Sequence, residues 1–244
     1  MTVAPWAHVF IDVPSELAST TEAFWSAVTG WPTGTPWTNH PEFVSMQPPE
    51  AHPYVHVQRI TGTPRVHLDL LTGDVDAEAA RLVELGAQRR RRHEWWQVMV
   101  SPGGQVFCLV GDPLRSRPGP ATWPDGHRSR VVQICVDVPT ATHAAELTFW
   151  REATGWQHEP TGRPEYNTLV PPTSSPVRIV VQRLEDNDGA LTTRAHIDMG
   201  TDDLDAEVER LQANGAIVQR RLDRWVVLGD PAGLPFCVTP LLPD

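Results

Sequence analysis

The sequence contains no lysine, so arginine supplies all 20 of its basic residues. Without lysine the chain cannot form a Schiff base through a side chain or build the lysine-containing phosphate-binding loop. Its three cysteines are an odd number, which favours reduced thiols in a cytoplasmic protein over a disulfide framework. The 30 acidic residues give a net charge of -10, which argues against nucleic acid and anionic membranes as partners.

Long apolar runs are also missing. No stretch approaches the roughly 20 apolar residues of a membrane span. The N-terminal residues MTVAPWAHVF lack the basic start and apolar run of a secretory signal. There is no nucleophile elbow, Cys-x-x-Cys, His-Glu-x-x-His or glycine-rich dinucleotide fingerprint. The use of arginine, proline and tryptophan is typical of a GC-rich bacterial genome. No catalytic residue follows from any of these motifs.

What the sequence does contain is a duplication. Residues 65–110 recur at 194–239, at a constant offset of 129 and without a gap. Upstream, FWSAVTGW at Phe24–Trp31 recurs as FWREATGW at Phe149–Trp156, at an offset of 125. A repeat of this length predicts two domains of similar structure.

The predicted domains are residues 1–112 and 128–244, joined by a proline-rich linker at 113–127. Hydrophobic periodicity predicts the order β-α-β-β-β twice in each. In the first half the predicted strands are His8–Val13, a short strand around Thr38, Phe43–Met46, Tyr54–Ile60, Val66–Leu71, Gln88–Arg92, Trp95–Val100 and Val106–Val110. The predicted helices begin near Ser15 and Asp74 and end at Gly30 and Gly86. The expected fold class is therefore α+β.

Strand alternation separates the polar side chains from those that pack under helices. Leu68 is predicted to face the helices, and its neighbours His67 and Asp69 to face the other way. By the same rule His8 and Cys108 lie on the non-helical face of the sheet.

With these features the chain resembles the vicinal oxygen chelate superfamily of glyoxalases, extradiol dioxygenases and bleomycin-resistance proteins. The match is carried by AHVFIDV, FWSAVTGW, RVHLDLLTGDVDAEAARLVELGA and VMVSPGGQVFCLV, with their second copies. The resemblance implies a tandem repeat of two glyoxalase-like domains. In each, two βαβββ units would form a cupped mixed sheet with its helices outside. It also implies a divalent metal held by His or Gln, His and Glu on the first, fifth and eighth strands.

At the implied metal positions the two halves depart from the family in the same way. The first half has His8, His67 and Cys108, and the second has Gln133, His196 and Cys237, so that cysteine replaces glutamate twice. A thiolate with two imidazoles would suit zinc better than iron(II) or magnesium. However, cysteine between Phe107 and Leu109 is also typical of a small buried apolar side chain.

The leading functional hypothesis is binding of a small planar or aromatic molecule, with no cofactor and no obligatory metal. The residues predicted to contact this ligand are His8, Phe10, His67, Asp69 and Trp96 in the first half, and Gln133, His196, Asp198 and Trp225 in the second. One alternative is a lyase, isomerase or dioxygenase that uses one divalent metal (zinc, iron or manganese) on His8 and His67. Another is a scaffold whose cups are filled by its own side chains. A monomer or homodimer is expected.

Overall fold

A computed structural model of the protein describes residues 3–111 and 116–244. The elements of the first half are β1 (Ala7–Pro14), α1 (Ser15–Thr29), β2 (Phe43–Ser45), β3 (Val55–Ile60), β4 (Arg65–Leu71), α2 (Val75–Glu84), β5 (Gln88–Arg92), β6 (Trp96–Val100) and β7 (Val106–Val110). Those of the second half are β8 (Ala121–Thr122), β9 (Arg128–Val138), a 3-10 turn (Thr140–Thr142), α3 (His143–Thr154), β10 (Gln157–Pro160), β11 (Tyr166–Val170), β12 (Arg178–Arg183), β13 (Arg194–Thr201), α4 (Leu204–Ala213), β14 (Ile217–Arg221), β15 (Val226–Gly229) and β16 (Pro235–Thr239).

The strands form two mixed sheets with one shared order. The first sheet has seven strands in the order β2-β3-β1-β4-β7-β6-β5. The second has nine, in the order β10-β11-β12-β9-β13-β16-β15-β14, with β8 paired to β9. Apart from β10 and β8, each strand has its counterpart at the same place in the other sheet. The α+β class and the duplicated architecture are therefore confirmed.

The predicted strand around Thr38 is wrong. Trp37 and His40 form only an isolated bridge there, and their backbones turn back toward Phe43. Pro36 and Pro41 flank this segment, and neither can donate a backbone hydrogen bond to a ladder. In the second half, β10 pairs with β11 in an antiparallel ladder, and its counterpart at residues 32–35 of the first half has only an isolated bridge from Thr33 to Met46.

Part of the predicted linker, residues 113–115, lies outside the described residues. In its described part, Ala121 of β8 pairs with Ser129 of β9. Trp123 follows directly, and its indole Nε1 donates to Ser129 Oγ at 2.9 Å. This end of the linker is therefore ordered against the sheet of the second half, although its sequence shows no apolar period.

The described residues fall into two compact units that do not follow the halves of the sequence. Unit A takes its residues from 1–8, 67–115 and 134–195, and unit B from 9–66, 116–133 and 196–244. Each unit thus combines a βαβββ segment of one half with one of the other. The boundaries predicted at 112 and 128 stay a prediction.

Within each unit, a helix from one half packs on a strand from the other. In unit A, Phe107 of β7 makes edge-to-face contacts with Phe149 and Trp150 of α3. In unit B, Phe236 of β16 contacts Phe24 and Trp25 of α1 in the same way. These large rings are almost fully buried, and aromatic pairs of this geometry stabilise a core beyond their area alone.

The α2 helix shows how local sequence fixes an element. Its N-cap residue Asp74 accepts hydrogen bonds from the backbone of Asp76 and Ala77, which satisfies two otherwise free donors. Val75, Ala79 and Leu82 form its buried face. Among the described residues, no helix is both long and apolar enough to cross a membrane.

Candidate functional site

A buried polar cluster lies on neighbouring strands of unit A. Strands β4 and β7 are parallel, with Asp69 beside Cys108 in register. His67 precedes Asp69 by two residues, so strand alternation puts all three side chains on one face. His67 Nε2 lies 3.3 Å from Asp69 Oδ1. One ligand atom from each of the three residues lies within 4.8 Å of the other two.

Unit B contains the second copy of this cluster. Asp198 of β13 is beside Cys237 of β16 in register. His196 Nε2 lies 3.2 Å from Asp198 Oδ1 and 3.5 Å from Cys237 Sγ. A nitrogen, an oxygen and a sulfur therefore converge at equivalent places in the two halves.

The opposite face of these strands meets the helices, as alternation predicts. Leu68 lies beside Phe107 in register, and Phe107 contacts α3. Leu68 and Phe107 are completely buried. The predicted division between a helix-facing side and a polar side of β4 is therefore confirmed.

The electrostatics of the clusters depend on burial. Burial, together with the neighbouring Asp69, raises the pKa of the Cys108 thiol to about 12, so without a cation it is a neutral thiol. Asp69 Oδ1 and Asp198 Oδ1 are buried and accept no hydrogen bond from the described part of the chain. A buried carboxylate oxygen without a donor is costly unless a cation compensates it.

The donor set fits a zinc ion. In a tetrahedral zinc site the bonds are about 2.0–2.1 Å to nitrogen or oxygen and about 2.3 Å to sulfur. These bond lengths place a nitrogen and an oxygen ligand about 3.3 Å apart, and a nitrogen and a sulfur ligand about 3.5 Å apart. The observed separations are 3.2–3.3 Å from His Nε2 to Asp Oδ1 and 3.5 Å from His196 Nε2 to Cys237 Sγ. Imidazole, carboxylate and thiolate are all ordinary zinc ligands.

The residues predicted on the first strand of each half, His8 and Gln133, are both buried. His8 is buried with its ring 5.9 Å from that of Trp6, and it is not one of the three converging groups. Gln133 is also buried, and its Nε2 donates a short hydrogen bond to Asp198 Oδ2. Asp69 and Asp198 therefore each place a carboxylate beside the histidine and the cysteine of their cluster.

A sequence signal for this carboxylate existed. The spacing His-x-Asp on a strand, repeated in both copies, puts both side chains on one face. From the sequence, Asp69 and Asp198 are predicted as ligand-contact residues, not as metal ligands.

The predicted tryptophans lie on the same strand face as the cysteines. Val98 is opposite Cys108 in the antiparallel β6–β7 pair, and Trp96 is two residues from Val98. The ring of Trp96 stacks on His93 at 4.1 Å between centroids. In unit B, Val227 is opposite Cys237, and the half-buried Trp225 precedes β15 by one residue.

Phe10 belongs to unit B and is part of an aromatic group that sequence reasoning did not assemble. It stacks on His56 at 4.5 Å between ring centroids, because the two residues are neighbours in the parallel β1–β3 ladder. His56 Nδ1 lies 2.8 Å from Ser45 Oγ, which accepts a hydrogen bond from Trp37 Nε1. The alternation of β3 was the available signal for His56.

Comparison with known proteins identifies the fold family. The model of a glyoxalase-like domain matches residues 8–110 and 133–239, which is most of the chain. The chain belongs to this glyoxalase-like family. The resemblance to the vicinal oxygen chelate superfamily is thereby confirmed. No curated protein matches the chain in sequence.

Solved structures share the fold of this glyoxalase-like protein. A Mn(II)-bound glyoxalase from Novosphingobium aromaticivorans is 16% identical, with a TM-score of 0.72, over 98% of this chain and 83% of that one. BphC, a halotolerant catechol dioxygenase, is 12% identical, with a TM-score of 0.63 and coverages of 98% and 87%. A catechol 2,3-dioxygenase is 13% identical, with a TM-score of 0.60 and coverages of 98% and 93%. At such identities the likeness shows the fold alone.

Proposed function

We propose that this glyoxalase-like protein is a divalent-metal-dependent enzyme acting on a small planar, oxygen-bearing molecule. The observation that carries the proposal is the repeated His-x-Asp and Cys cluster, in which both His–Asp separations and the His196–Cys237 separation match the edges of a zinc tetrahedron. His67, Asp69 and Cys108 would hold one ion, and His196, Asp198 and Cys237 a second. When bound, the metal would act as a Lewis acid that polarises a substrate oxygen.

The chain's own residues would bind and orient the substrate. Trp96 and Trp225 lie on the same faces as the cysteines and offer flat apolar surfaces for a planar molecule. Three protein ligands leave a fourth zinc position open, as in catalytic zinc sites. A thiolate and an imidazole favour zinc over the redox metals, which favours a lyase or isomerase over a dioxygenase. The three cysteines are free and buried, which supports a reducing, cytoplasmic location.

A metal-free binding protein is the second candidate. The neutral Cys108 thiol favours it, because a neutral thiol is a poor metal ligand and a planar drug or metabolite could be held by stacking and a few polar groups. The two candidates differ in whether ligand binding needs the metal.

The experiment starts from protein purified without a histidine tag, analysed for metal and titrated with zinc. We expect up to two zinc ions per chain, and none in the double variant Cys108→Ser/Cys237→Ser. Catechols and other planar aromatic compounds would then be screened by thermal shift with and without zinc. A ligand whose binding survives in the zinc-free double variant would favour the second candidate. If the protein binds neither metal nor ligand, the remaining hypothesis is a scaffold whose cups are filled by its own side chains.

A further inference from the structure

The two clusters contain the same three residue types, but the halves differ on the strand that precedes them. The first strand of the first half carries His8, and the equivalent residue of the second half is Gln133. Gln133 is buried, and its Nε2 donates to Asp198 Oδ2. An ionised carboxylate only accepts hydrogen bonds, so the end of the amide that meets Asp198 must be its NH2 group. The amide oxygen, which is the atom that glutamine offers to a metal, is not the atom in this contact.

The hydrogen bond engages only one oxygen of the carboxylate. The other oxygen, Oδ1, lies 3.2 Å from His196 Nε2 and accepts no hydrogen bond from the described residues. The amide of Gln133 therefore holds Oδ2 in place and restrains the orientation of the Asp198 carboxylate. In that orientation Oδ1 lies close to His196 Nε2 and Cys237 Sγ, the two other atoms that would bind the zinc ion.

We infer that Gln133 is a positioning residue of the metal site in the second half. It does not ligate the ion, but orients Asp198 so that Oδ1, His196 Nε2 and Cys237 Sγ face one zinc ion. This inference rests on the proposed function. It departs from the ligand set that the family resemblance implies, in which Gln133 would bind the metal itself. Outer hydrogen bonds of this kind typically contribute about 10–100-fold to metal affinity.

The test isolates each site in the full-length chain. Cys108→Ser leaves only the second cluster intact, and Cys237→Ser leaves only the first. Into each background we would introduce Gln133→Met, which keeps the length of the side chain but removes its donor. Zinc affinity would be measured by competition with a chelating dye, and cobalt(II) spectra would report the coordination number and the thiolate-to-metal charge transfer.

In the Cys108→Ser background, Gln133→Met should weaken zinc binding by about 10–100-fold. The cobalt(II) spectrum should keep its thiolate band and its coordination number, because the ligands are unchanged. In the Cys237→Ser background the same substitution should leave zinc affinity unaltered. Gln133→His restores a donor and should recover affinity close to that of the parent.

Three results would overturn the inference. One is an unchanged zinc affinity for Gln133→Met in the Cys108→Ser background. The second is a change in cobalt coordination number, which would make Gln133 a ligand. The third is a loss of about 10-fold or more in zinc affinity with Gln133→His, which keeps a donor. This result would decide the matter even if Gln133→Met failed to fold. If the Cys108→Ser protein with Gln133 intact binds no zinc, it is the proposed metal site that fails, and the inference fails with it.

Discussion

Trp150 donates its indole Nε1 proton to Glu146 Oε2 at 2.7 Å, within helix α3. The equivalent indole of unit B, that of Trp25 in α1, donates instead to Asp230 in the β15–β16 turn, at 3.1 Å. The duplication places Thr21 opposite Glu146 and Ser101 opposite Asp230. The carboxylate has thus changed elements between the copies, from the helix to the turn, while the buried tryptophan keeps its acceptor.

These two carboxylates should make stability fall as the pH rises. Burial raises the pKa of Glu146 and of Asp230, although hydrogen bonds to each act in the opposite direction. The stabilisation is therefore complete below the unfolded pKa of about 4 and is lost as the pH rises through the higher folded pKa. Urea unfolding of wild type and Glu146→Gln over pH 4–9 checks this. The stability of wild type relative to the variant should decline with pH, and a rise would contradict the prediction.

A second repeated contact ties a helix end to an arginine. Arg81 donates to the carbonyls of Glu152 and Ala153 at the end of α3, and also to both carboxylate oxygens of Glu78. Arg210 makes the equivalent contacts with Ala27, Val28 and Glu207. Each arginine therefore joins the last turn of one helix to another helix within its unit.

Arg81→Ala should destabilise the protein by roughly 1–3 kcal/mol, because it leaves a nearly buried carboxylate and two helix-terminal carbonyls without their donor. Arg81→Lys should recover little of this, since an ammonium cannot reproduce the planar fork of the guanidinium. Arg221→Ala is the control, because its pair with Asp205 is largely exposed and should be worth under about 1 kcal/mol. Chemical unfolding of the three variants decides, and equal losses for Arg81→Ala and Arg221→Ala would refute the assignment.

The faces of β4 give a prediction from neighbouring residues. Leu68→Ala should cost roughly 2–5 kcal/mol, because Leu68 packs beside Phe107 under the helices. His67→Ala should leave the fold intact and abolish zinc binding at the first cluster. The measurements are thermal unfolding and zinc titration of both variants in the Cys237→Ser background. The opposite outcome, with zinc binding lost in Leu68→Ala and the fold lost in His67→Ala, would invert the faces.

Local patterns predicted most elements because their causes are local. Asp74 and Gly86 bound α2 through capping and a left-handed turn, and alternation put His67 and Cys108 on one face. The predicted strand near Thr38 does not form, because the prolines around it cannot donate hydrogen bonds to a ladder. The sequence does not reveal which segments form units A and B, because this depends on contacts between distant segments, such as that of Phe107 with Trp150. The hydrogen bond from Gln133 to Asp198 likewise depends on a side-chain orientation that no spacing specifies.

Gly103 lies in the turn between β6 and β7, where it contacts the side chain of Glu146. The backbone N–H of Gly103 donates to Glu146 Oε1, and a Cβ built on Gly103 would lie 2.3 Å from Thr193 Oγ1 and 2.7 Å from Glu146 Cγ. In the second copy this position is Ala232, and the helix residue that faces it by duplication is the smaller Thr21. We therefore expect the large helix residue Glu146 to require a glycine at position 103.

Gly103→Ala should cost roughly 1–3 kcal/mol through overpacking, because the added methyl group meets atoms that cannot all move. Gly162→Ala, with nothing near the added Cβ, is the matched control and should change stability by less than about 0.5 kcal/mol. Combining Gly103→Ala with Glu146→Thr recreates the pairing found in the second copy. A double-mutant cycle by urea unfolding should then give a favourable coupling of about 0.5–3 kcal/mol, as for residues in direct contact. Strictly additive effects would mean that Glu146 is not what requires glycine at position 103.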